Sequence, residues 1–77
     1  MPTPSNASEM LDREFLGIRS RLIDVAASLD RINRRDGADA LQADPRYQQL
    51  ATAVKALLEG DSSRAERLQM IFSDPYE

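Results

Sequence analysis

The chain has 77 residues, 42% of them hydrophobic and 30% charged, a composition of folded globular proteins at a length that allows one domain. It contains no cysteine and no histidine, which excludes disulfides, thiolate chemistry, imidazole bases and zinc-finger ligation. Thirteen acidic against ten basic residues leave a net charge of −3, which disfavours holding nucleic acid by general phosphate neutralisation.

Residues 1–7 carry Pro2 and Pro4 and no large apolar residue after Met1, so a disordered N-terminal arm is expected there. The start has no charged segment followed by an apolar one, and no apolar run approaches the roughly 20 residues that cross a bilayer. The expectation is a cytoplasmic protein without membrane contact. Asn6-Ala7-Ser8 matches a glycosylation triplet, which is read as chance, with Ser8 as a helix cap.

The strongest pattern follows. Leu11, Phe15, Ile18, Leu22, Val25, Leu29 and Ile32 succeed one another at alternating steps of four and three, the seam of a long helix over about 8–35. Glu9, Asp12 and Glu14 lie at its start and Arg31, Arg34 and Arg35 at its end, each matching the sign that the helix dipole favours. Glu9 with Arg13 and Asp30 with Arg34 add i,i+4 pairs. Gly37 is the expected stop.

A connector runs from Asp36 to Ala43, with one helical turn around Ala40. Asp44-Pro45 then reads as cap and first residue of a second helix, about 45–59, because proline has the φ of a first turn and lacks an amide that would be unpaired there. Its expected inner stripe is Tyr47, Leu50, Ala51, Val54, Leu57 and Leu58, closed by Gly60. A third helix, about 62–72, is capped by Asp61 or Ser63, with Ala65, Leu68, Ile71 and Phe72 as its inner face. Residues 74–77 form a tail after it.

The fold class read from these elements is all-α: one domain over 8–73 in which a long N-terminal helix packs antiparallel against two shorter ones. Below about 80 residues such a core leaves little net stability, and without disulfide or metal the remaining device is oligomerisation. Leu16, Ile23 and Ala26 also widen the apolar surface of the first helix beyond one contact. The expectation is therefore a homodimer, or a tetramer, that completes a four-helix-type bundle through Leu11, Phe15, Ile18, Leu22, Val25, Leu29 and Ile32. With Phe15, Leu22 and Leu29 at heptad position a and Leu11, Ile18, Val25 and Ile32 at d, mostly Leu at a and β-branched residues at d favour more than two strands if the helices run parallel. A parallel pair places Glu14 near Arg19 of the second copy and an antiparallel pair places it near Arg35, and both orientations stay open at this point.

No residue pattern points to catalysis. There is no Ser-x-x-Lys, no glycine-rich phosphate loop and no paired Glu-x-x-His, and Asp36, Asp39 and Asp44 lack the spacing of a calcium loop. The expectation is a non-enzymatic protein-interaction module that needs no cofactor or metal, with a heterologous protein as a further partner. The alternative is a regulator that grips nucleic acid or another polyanion through Arg31, Arg34 and Arg35, although Asp30, Asp36 and Asp39 offset that charge. Tyr76, beyond Pro75, is a candidate partner contact, with packing against the bundle end as the simpler reading.

Overall fold

The computed structural model describes residues 6–59 and 62–73. Among these the chain is all-helical, with α1 (Ala7–Asn33), a 3-10 helix (Ala38–Ala43), α2 (Pro45–Leu58) and α3 (Arg64–Ser73). The expectations for the N-terminal arm before Asn6, for Gly60 and Asp61, and for the tail with Tyr76 lie outside the described residues. The described helices belong to two compact units, Met1–Asp36 and Gly37–Glu77.

The first unit is α1. Its cap is Asn6, not Ser8: the Asn6 backbone is extended (φ −146°, ψ 172°) and its Oδ1 accepts from the Glu9 amide at 2.9 Å. Asparagine and serine are near-equal caps, and starting at the earlier one adds two helical residues, Ala7 and Ser8, without leaving the first amides unpaired. The 27 residues span about 40 Å, well past the length at which an isolated helix overcomes its nucleation cost. The helix ends at Asn33, two residues before the expected boundary. The Arg34 amide still donates to Asp30 O, but the Arg35 amide turns to Ile32 O, tightening the last turn. Gly37 does not terminate α1. It stands in the left-handed region (φ +88°) at the head of the 3-10 helix, where its carbonyl accepts from the Ala40 amide at 3.0 Å.

In the second unit the Asp44-Pro45 boundary forms as expected. Asp44 Oδ1 accepts from the Arg46 amide at 2.8 Å, and the Arg46 guanidinium closes on the same carboxylate through Nε at 3.2 Å and Nη2 at 2.9 Å. The side-chain bonds from Arg46, then its amide, hold the Asp44 carboxyl down from its usual 3.8 to about 2. Gln48 Nε2 donates back to Gln42 O at 2.9 Å, tying the 3-10 helix to α2.

Helices α2 and α3 form an antiparallel hairpin. Gln49 Nε2 donates to Ile71 O at 3.1 Å, Arg64 Nε donates to Leu57 O at 3.0 Å and Arg67 Nη1 reaches Glu59 Oε1 at 3.3 Å, so early α2 meets late α3 and the reverse. Ser63 immediately precedes α3 and its carbonyl accepts from the Arg67 amide.

The packed face of α2 differs from the expected stripe. Ala53 and Ala56, 5% and 3% exposed, are the buried residues of the described chain, with Gln49 half-buried above them. Leu50, Val54, Leu57 and Leu58 stay exposed, and Tyr47 is half-buried. At 100° per residue the Gln49-Ala53-Ala56 row lies roughly 120° around the helix from that stripe. Small side chains explain the choice, because they let two backbones approach closely enough for Gln49 and Arg64 to reach carbonyls on the opposite helix. On α3, Leu68 and Ile71 are half-buried as expected for an inner face, whereas Ala65 and Phe72 are exposed and Phe72 does not anchor a core.

Candidate interaction surface

On α1 the seven seam residues share one side, as the four-three spacing requires. None of the helix's residues is buried. Leu29 is half-buried, and the other six are 40% (Ile32) to 56% (Leu11) exposed. Those values leave on the order of 600 Å² of apolar side chain open along one stripe, taking roughly 200 Å² for each large side chain. Leu16 (70% exposed) and Ile23 extend the apolar surface to a second side. A stripe of this size is at the upper end of the apolar patches that monomeric proteins carry.

The charges around the seam follow from the same register. Within the helix Glu14, Arg21 and Ser28 occupy the g flank, and Asp12, Arg19, Ala26 and Asn33 the e flank, with Arg35 beyond the helix end. Glu14 and Arg35 make no ion pair among the described residues, nor does Asp30 with Arg34.

Arg31, Arg34 and Arg35 together line a shallow concavity of about 230 Å³ at the end of α1. Arg31 Nη2 donates to Ser28 Oγ at 2.9 Å, and none of the three guanidiniums meets a carboxylate among the described residues. Arg31 and Arg34 point more than about 120° away from the local seam, so the concavity and the stripe occupy different sides of the helix. The helix dipole favours cations here, which accounts for three arginines in one turn without a ligand.

The described residues hold no group of three or more acidic side chains placed to bind a metal ion. No helix among them is long and apolar enough to cross a membrane. The exposed stripe of α1 was foreseeable from sequence. The exposed stripe of α2 was assigned to the core, and the Gln49-Ala53-Ala56 row that replaces it was missed, its one signal being two alanines at a three-residue spacing with a glutamine four residues before. Comparison with family models, with curated proteins and with solved structures finds no match to this chain.

Proposed function

We propose that the protein is a small, non-enzymatic, cytoplasmic interaction and assembly module that self-associates through the seam of α1. The observation that carries this reading is a regular apolar stripe along a helix with no buried residue. Two copies joining these stripes remove on the order of 1,200 Å² from water, at the lower edge of what stable interfaces bury. The second apolar side of α1 and the open stripe of α2 suit an arrangement in which α1 runs antiparallel to the shorter arm within a chain and two chains complete a four-helix-type bundle. A heterologous protein then docks on what the bundle leaves exposed.

Sedimentation equilibrium of the full chain from micromolar to millimolar concentration tests the reading. The expected result is a mass rising toward twice the monomer's 8.6 kDa or a higher multiple. A folded species that stays at 8.6 kDa throughout overturns it.

A second reading draws on the concavity shared by Arg31, Arg34 and Arg35: a regulatory protein that engages nucleic acid or another polyanion there. Its mark is binding of a labelled duplex that weakens steeply with salt and is lost in an Arg31→Ser, Arg34→Ser, Arg35→Ser variant. Salt-independent binding, or none, eliminates it.

A further inference from the structure

The self-association reading leaves open how two α1 helices lie, and charge resolves it. We propose that they pair antiparallel in one register, with Phe15 against Ile32, Ile18 against Leu29 and Leu22 against Val25 of the second copy; this rests on the α1 seam being the contact.

An antiparallel pair packs each a residue against a d residue, sets g beside g and e beside e, and repeats every contact through its two-fold axis. Two such registers engage most of the seam. One stacks Leu11 on Leu29, Phe15 on Val25 and Ile18 on Leu22. It also brings Arg21 opposite its own copy on one flank and Arg19 opposite its own copy on the other, two like-charge contacts at the axis. The register proposed here has neither. It sets Arg21 beside Ser28, Arg19 beside Ala26 and Asp12 beside Asn33, with no like-charge pair on either flank of the helix.

A parallel pair supplies an attractive flank, Glu14 beside Arg19, so the flanks alone do not choose the orientation. The ends do. Parallel pairing stacks Glu9, Asp12 and Glu14 on their own copies at one end and Arg31, Arg34 and Arg35 on theirs at the other, with both helix dipoles aligned. Antiparallel pairing lays acidic starts toward basic ends. The core agrees, because Leu at a with Ile or Val at d works against a parallel two-stranded pair.

Arg13 lies on the exposed back of α1, away from both flanks, and the chain has no native cysteine, so Arg13→Cys carries a single spin label. Pulsed dipolar spectroscopy on that full-length variant then reads the distance between the two copies. The proposed register separates the labels by about 32 Å along the axis, about 40 Å in all, at 1.5 Å rise per residue. A distance of roughly 25 Å or less, with no axial offset, overturns the antiparallel arrangement while leaving self-association standing. The absence of any dipolar signal at 100 μM overturns the self-association reading as well. The register that opposes Arg21 to its own copy gives about 21 Å along the axis and about 32 Å in all, so a distance near that value rules out the proposed register.

Discussion

Replacing Leu22 by aspartate strikes the centre of the proposed interface. Leu22 is 54% exposed, so about half of its surface is free to be buried by a second copy. Half of the roughly 3 kcal/mol for fully burying a leucine is about 1.5 kcal/mol per copy. A two-fold pair loses it twice, about 3 kcal/mol, which is about a hundredfold in the dissociation constant. Aspartate adds the cost of taking a carboxylate out of water, so the loss exceeds that figure. The free chain pays only the lower helix propensity of aspartate, about 0.5 kcal/mol, since no buried contact of Leu22 is removed. Sedimentation velocity over a dilution series compares the native chain, Leu22→Asp and the control Ser20→Asp on the outer face of α1. The account expects Leu22→Asp to sediment as one copy where the other two associate. Equal concentration dependence for all three refutes the reasoning.

Further predictions concern the local devices that shape each helix. Gly17→Ala stabilises α1 by about 1 kcal/mol in thermal unfolding, because a Cβ there meets nothing nearer than the Arg21 guanidinium at 3.8 Å. Gly37→Ala destabilises by about 1 kcal/mol although space is open around it, because φ +88° strains any residue with a Cβ. Ala56→Leu crowds the α2–α3 crossing and costs about 1–3 kcal/mol in urea unfolding, whereas Val54→Ala, at an exposed position, costs much less. Because the Asp44 carboxyl is held at about 2 in the folded chain against 3.8 normally, its capping contribution is complete above pH 3.8 and disappears as pH falls through about 2. Circular dichroism from pH 5 to 1.5 should therefore show a loss of helix in the native chain that Asp44→Asn, which keeps a capping oxygen without a titrating proton, lacks in part.

The sequence was most informative where one physical signal acted alone. Seven apolar residues at four-three spacing leave no period other than a helical one, and α1 follows them over 27 residues. Asp44-Pro45 combines a capping carboxylate with a preset φ, and α2 starts there. Where two signals competed, the pattern misled. Asn6 and Ser8 are both good caps, and choosing between them depends on two extra residues of helix. On α2 the large apolar residues mark the greasiest face, but the hairpin with α3 is set by how closely the backbones approach, which favours Ala53 and Ala56. Phe72 was misplaced for the same reason: a packing face chosen by small residues leaves a large ring at its margin, exposed. The apolar stripe of α1 was readable because it depends on periodicity alone, whereas the concavity at Arg31, Arg34 and Arg35 required coordinates to show that the three line one space.

In the proposed assembly the open side of α1 is covered by another copy of the same helix. A mixed sample of carbon-13-labelled and unlabelled full-length chains, analysed by isotope-filtered NMR, reads such contacts directly. The account predicts intermolecular cross-peaks between the Phe15 ring and Ile32 methyls and between Leu22 and Val25 methyls. Seam methyls that show only intramolecular cross-peaks at millimolar concentration would contradict it.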